Sequence, residues 1–230
     1  MTFEGLADNL RAVRDAIARV RVAEGLGGDV SIVAVTKGHP ASAVDAARAA
    51  GLPDVGENRV QELLAKQEGT AADVRWHLVG HLQTNKARQL PGRVWMVHSV
   101  DRTRVADALA KAVERAGTEP LRVLVQVNVA GEDQKTGCAP DDAGALVAHV
   151  AALSGLRLEG LMTMAPLTDD ERVQRLVFAG LRELRDRLAT PERPLAELSM
   201  GMTNDFRAAV AEGATILRLG TALFGAREPV

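Results

Sequence analysis

The chain has 230 residues, 47% hydrophobic and 25% charged, which suits a globular protein with a substantial core. A net charge of −2, 3% aromatics and no tyrosine argue against a nucleic-acid or anionic-lipid partner, and they exclude any mechanism that needs a tyrosine acid or base. Cys138 is the sole cysteine, which excludes an internal disulfide and a cysteine-based zinc cluster, and residues 1–20 carry charges too regularly for a signal peptide or membrane span, so the expected location is the cytoplasm.

Residues 2–24 place Leu6, Leu10, Val13, Ile17 and Val20 at three- and four-residue spacing, which predicts an amphipathic helix ahead of everything else. The first strand is expected at 30–35, "VSIVAV", and delivers Lys37 just past its tip, followed by Gly38, His39 and Pro40. Further strands are expected at 54–57, 74–80, 94–100, 122–129, 157–164, 197–201 and 216–220. Helix-like segments lie between them, such as 40–51, 102–117 and 172–189, most opening near Pro, Asp, Ser or Thr and several closing at Gly. Eight strands alternating with helices predict an α/β fold, a single (β/α)8 TIM barrel with an extra N-terminal helix over 1–24. An open doubly wound sheet is the alternative. No linker or low-complexity tract interrupts the chain, so one domain is expected over 1–230.

In such a barrel chemistry belongs at the C-terminal ends of the strands. Lys37 stands there. A lysine facing a partly dry cavity loses solvation, shifts toward its neutral amine and can attack a carbonyl to form a Schiff base; the alternative is a solvated loop lysine. Beyond the seventh strand, Thr203 is expected to cap a helix running to about Gly213, with Asp205 in its first turn. Gly220 and Thr221 leave the eighth strand for a last helical turn. Free N–H groups at two helix starts and a threonine hydroxyl suit an anion, and these loops are where barrels hold phosphate. Asp205 opposes that reading, and two ordinary caps are the alternative. Arg218, two residues before Gly220, shares its strand face.

The blocks "VAVTKGHP", "VGENRVQE", "WHLVGHLQTNK", "VHSVD", "QVNVAGEDQKTG", "GLMTMAP", "LSMGMTNDF" and "LRLGTALFG" occur in order over residues 30–225 and resemble those of the pyridoxal phosphate homeostasis protein family. The resemblance implies a fold-type III barrel similar to the N-terminal domain of alanine racemase, with pyridoxal 5'-phosphate held as an internal aldimine on Lys37. It further implies phosphate contacts from Thr203, where the family more often has serine, and from the backbone around Gly220 and Thr221. Arg218 would meet the pyridine nitrogen, which keeps the cofactor a poorer electron sink than a carboxylate partner would. Asn58 either reaches the cofactor or caps a helix, Met202 lines the cofactor side, and Arg59 stands where a tyrosine is usual.

The implied role is pyridoxal phosphate storage, delivery or buffering in the cell, without robust turnover and with no metal. The implied partners are pyridoxal phosphate, amino acids and transient apoenzyme clients, for a monomeric protein. A small racemase or lyase is one alternative, but a racemase needs an opposing tyrosine and a second domain. A Schiff-base aldolase acting on a phosphorylated substrate is another; it explains the parts but not the ordered blocks. His77 and His81 read as half-buried, hydrogen-bonded histidines. Asn85 and Lys86 line the cavity mouth or solvate a helix. Met162, Met164, Met200 and Met202 alternate along two strands, with Met200 and Met202 expected on one face. The segment 130–137, "AGEDQKTG", reads as a polar rim loop, and Cys138 lacks neighbours that would mark a nucleophile.

Overall fold

The computed structural model describes residues 3–132 and 136–226. Eight strands, β1 (Ser31–Val35), β2 (Asp54–Glu57), β3 (Arg75–Leu78), β4 (Met96–Val100), β5 (Leu121–Gln126), β6 (Leu156–Met162), β7 (Glu197–Ser199) and β8 (Ile216–Leu219), close a barrel in chain order. Every pairing is parallel, and β8 returns to β1 with Ser31 opposite Ile216 and Ala34 opposite Leu219. The helices are α1 (Leu6–Ala23), α2 (Ser42–Ala49), α3 (Val60–Glu68), α4 (Thr103–Ala116), α5 (Ala143–Ala151), α6 (Glu171–Leu188), α7 (Phe206–Ala211) and α8 (Thr221–Phe224). A short 3-10 helix at Thr84–Gln89 fills the place between β3 and β4. The closed barrel excludes the open doubly wound sheet, and all eight expected strands are present, shorter at several ends.

Strand alternation divides the core in two. Ile32, Ala34, Val55, Leu78, Val97, Leu198 and Leu217 face outward into the layer under the helices. Val33, Val35, Val79, Met96, Leu124, Met162 and Ile216 fill the barrel interior. Lys37 therefore continues the inward file of Val33 and Val35. Closure between β6 and β7 requires Gly160, where an added Cβ would lie 1.9 Å from the Glu197 carbonyl oxygen.

Helix α1 buries Leu6, Leu10, Val13, Ala16 and Ile17 and packs on α7 and α8. The Asn9 side-chain amide donates to the Leu223 carbonyl at 3.0 Å, tying α1 to α8. Among the described residues, no helix is long and apolar enough to cross a membrane.

The chain after β7 departs from expectation. Helix α7 begins at Phe206, so Asp205 occupies the cap position and Thr203 lies outside the helix. The cause is a left-handed Gly201 (φ 93°), which turns the chain two residues past β7, and the Met202 N–H donating to Asp205 Oδ1 at 2.5 Å. The same turn separates the two methionines expected on one face. Met200 is buried in the layer under the helices, whereas Met202 opens onto the cavity described next.

Candidate functional site

A cavity of about 610 Å³ opens at the C-terminal ends of the strands, and Lys37, Asn58, Met202, Thr203, Arg218, Gly220 and Thr221 all line it. These residues come from β1, β2, β7, β8 and the turns that follow them, so barrel closure is what assembles them. Val35, Val79 and Met164 supply an apolar floor, while Gly80, His81, Gln126, Thr136 and Asp205 also reach the cavity.

Lys37 sits between two anchored residues. The Thr36 carbonyl accepts from Lys66 Nζ at 2.6 Å, and the Gly38 N–H donates to Glu62 Oε1 at 2.7 Å. Lys66 Nζ also donates to Glu57 Oε1 at 2.5 Å and Glu62 Oε1 at 2.9 Å, and the Thr36 hydroxyl donates to Glu57. Glu57 is wholly buried, Lys66 nearly so, and Glu57 Oε2 has no hydrogen-bond partner. Burial raises the Glu57 pKa despite its two donors. This network fixes the β1 tip that presents Lys37. Sequence reading missed it, although Glu62 and Lys66 stand at the i, i+4 spacing of a helical ion pair.

At the wall formed by the turns after β7 and β8 the Thr203 hydroxyl oxygen accepts the Ala222 N–H at 3.0 Å, bridging the turn after β7 to the start of α8. Its own hydrogen remains as a donor, as an anion pocket requires. Gly220 precedes α8, and a Cβ there would come within 3.3 Å of the Val35 carbonyl oxygen. Asn58 does not cap α3: Arg59 holds that position and no side chain caps the helix. Gly80 lets the chain pass close to Asn58, since a Cβ would lie 2.3 Å from the Asn58 carbonyl oxygen. Arg59 itself is exposed and does not line the cavity.

Arg218 is 4% exposed and points into the barrel, donating from Nη1 to Ser199 Oγ at 2.7 Å and from Nη2 to the Thr163 carbonyl at 2.9 Å. Burial lowers its pKa to about 10, with Asp205 working the other way, so it keeps its charge at neutral pH. His77 is buried below the cavity, between Asp54 and His98, and does not line it. His81 stands at the rim with Nδ1 3.4 Å from Asp101. Asn85 and Lys86 line a separate groove between the 3-10 helix and α4. The 130–137 loop contains Asp133, Gln134 and Lys135, which lie outside the described residues; Gln126 holds its Thr136 through the backbone carbonyl and the hydroxyl, both at 2.9 Å. Burial, with Asp142 adding, pushes the Cys138 thiol up to about 11, which makes it a poor nucleophile at neutral pH.

The chain matches the family model described as "Alanine racemase, N-terminal domain" over residues 7–228. It is 46% identical over 228 residues to the pyridoxal phosphate homeostasis protein of Pseudomonas aeruginosa, covering 97% of this chain and 96% of that protein. Among solved structures, PipY of Synechococcus elongatus with PLP bound is 36% identical with a TM-score of 0.81, covering 96% of this chain and all of that one. Alanine racemase of Clostridium difficile shares the fold at a TM-score of 0.75 and 15% identity, the alignment covering 97% of this chain and 60% of the racemase.

Proposed function

The chain belongs to the pyridoxal phosphate homeostasis protein family, and from that premise we propose that it binds pyridoxal 5'-phosphate as a Schiff base on Lys37. We read it as one cytoplasmic domain, 1–230, that stores, delivers or buffers the cofactor without robust turnover of its own. The observation that carries this reading is the convergence, in one cavity, of an inward lysine at the β1 tip, the Thr203 hydroxyl beside the start of α8, and the buried Arg218.

The residues fit the group. Lys37 is the amine, and its place just past the β1 tip brings it to the cavity, where its deprotonated form would attack the carbonyl. Thr203, with the backbone at Gly220 and Thr221, would hold the phosphate, and the glycine lets that backbone come close. Arg218 would face the ring nitrogen with a proton it does not release, and Asn58 and Met202 would border the ring. Bound in this way, pyridoxal phosphate supplies a carbonyl that exchanges between amines and an electron sink weakened by Arg218. The chain has no tyrosine to serve as a second acid-base group on the face opposite Lys37. Amino acids then compete with Lys37 for the carbonyl and release or accept cofactor, and apoenzymes are the transient clients of a monomer.

The test is spectroscopic. Loaded wild type should show a yellow imine band that borohydride bleaches, leaving the added mass on the Lys37 peptide. Lys37→Ala should lose both signals and keep its fold. In deuterated water, α-carbon exchange of alanine or serine should not exceed that of free pyridoxal phosphate at equal concentration. Exchange well above that control, abolished by Lys37→Ala, would establish a racemase instead, and a Lys37→Ala protein that keeps the imine band would remove Lys37 from the site.

A further inference from the structure

Barrel interiors of this architecture are usually filled by layers of branched apolar side chains. Here a polar file runs through the apolar plug from the barrel floor to the cavity. Arg218 Nη1 lies 2.7 Å from Ser199 Oγ, and Ser199 Oγ lies 2.8 Å from His98 Nδ1. His98 Nε2 lies 2.9 Å from His77 Nδ1, and His77 Nε2 lies 2.9 Å from Asp54 Oδ1. Arg75 ends the file at the N-terminal ends of the strands, donating from Nε to Asp54 at 2.7 Å, and among these residues it alone reaches solvent appreciably. Ser199 and His98 are fully buried.

We propose that these groups form one directed hydrogen-bond chain, with His77 and His98 both neutral and both protonated on Nε2, through which Asp54 at the floor fixes the orientation of Arg218 in the cavity. The direction follows from which atoms can donate. A guanidinium has no acceptor, so Ser199 Oγ accepts from Arg218. Asp54 is ionised: Arg75 donates to both of its oxygens, from Nε at 2.7 Å and from Nη2 at 2.5 Å, and although burial works against the charge its pKa lies below the usual value. It therefore only accepts, and His77 carries a proton on Nε2.

Between these ends the hydroxyl hydrogen of Ser199 has one destination. Among the described residues its oxygen meets only Arg218 and His98, so the hydrogen goes to His98 Nδ1. His98, kept neutral above all by its burial, then donates from Nε2 to a bare His77 Nδ1. Reversing the middle of the file would leave the Ser199 hydrogen without an acceptor in a fully buried place, which native interiors avoid. Asp54, His77 and His98 are thus positioning residues: they turn the Ser199 lone pairs toward Arg218, and with the Thr163 carbonyl this leaves the guanidinium one orientation.

The decisive readout needs no ligand. In [15N]histidine-labelled protein, long-range 1H–15N correlation should show both rings with a bare Nδ1 and a protonated Nε2, the signals assigned with His77→Gln and His98→Gln. A proton on His98 Nδ1, or an imidazolium at either ring near neutral pH, would overturn the proposal. Asp54→Asn offers His77 an amide that donates as well as accepts, so His98 should become a mixture of tautomers. The Arg218 Nε–H resonance, assigned with Arg218→Lys, should move with it. A folded Asp54→Asn protein with both signals unchanged would show that the floor does not reach Arg218.

If Asp54→Asn does not fold, Ser199→Ala breaks the same chain nearer the cavity. It should shift the His98 ring nitrogens and the Arg218 resonance together; movement of one without the other refutes the coupling. The last readout rests on the proposed function: pyridoxal phosphate should dissociate about 3- to 10-fold faster from Asp54→Asn than from wild type. Unchanged dissociation overturns the positioning role. Failure of wild type to bind the aldehyde at all overturns the proposed function and leaves the tautomers to be judged on their own.

Discussion

Replacing Lys66 by methionine keeps most of the side-chain length and removes the ammonium that joins Glu57, Glu62 and the Thr36 carbonyl. The Lys66 and Glu57 side chains are 7% and 0% exposed, so the substitution strands a carboxylate with no solvent to turn to. Breaking one partner of such a buried pair costs about 3–5 kcal/mol. The Glu62 contact, with its carboxylate partly exposed, adds less than about 1 kcal/mol.

The sign of the pH dependence follows from Glu57. Its folded pKa already lies above the ordinary 4.5 because of burial, and losing the lysine raises it further. A carboxyl raised in the folded state binds its proton more readily there than in the unfolded chain. Stability therefore falls as pH rises from the unfolded value through the folded one. Urea unfolding of Lys66→Met should accordingly show a smaller deficit against wild type near pH 4.5 to 5 than at pH 7.5. Glu57→Gln in the same background should recover part of the loss, since an amide no longer strands a charge. Borohydride trapping of pyridoxal phosphate on Lys37 should also slow in Lys66→Met, because the Thr36 anchor is gone. A deficit below about 1 kcal/mol at pH 7.5, or one equally large at pH 5, would refute this account of the β1 tip.

On the proposed phosphate seat, Thr203→Ala removes a donor to a charged group and should weaken pyridoxal phosphate by about 1.5–3 kcal/mol in equilibrium dialysis, with unphosphorylated pyridoxal unaffected; equal losses for both would remove the phosphate seat. Gly80→Ala places a Cβ 2.3 Å from the Asn58 carbonyl oxygen, so thermal unfolding should register about 1–3 kcal/mol of overpacking together with weaker cofactor retention. A Gly80→Ala protein as stable and as well loaded as wild type would contradict the close approach. Cys138, with its thiol pushed up to about 11 from 9.0, should react with iodoacetamide at pH 8 on the order of 100-fold more slowly in the native protein than in urea, from thiolate fraction alone; equal rates would show the thiol is not buried as described.

The architecture was legible in the sequence because it rests on local pattern. Strand runs separated by helical periods and Gly or Pro breaks gave the eight strands found among the described residues, and run ends, taken with the expected barrel, located Lys37, Gly220 and Thr221 at the rim. The turn after β7 was less legible. Thr203 and Asp205 both suit a helix cap, and the choice between them depends on the left-handed Gly201 and on an Ala222 N–H contributed by another segment.

Other features could not be read along the chain because they join residues far apart in it. Glu57 and Thr36 are 21 positions apart, and His98 and Ser199 are 101 apart. Sequence alone made His77 a half-buried histidine with a single hydrogen bond; barrel closure set it between Asp54 and His98. Burial is likewise a property of the assembled barrel. The same glutamate or histidine is a solvated surface group in an open chain, and it becomes a partner-dependent, shifted group once closure withdraws water from around it. Local periodicity set which face of each strand a residue occupies, while the desolvation and pairing that give those residues their chemistry came from the strands meeting around one axis.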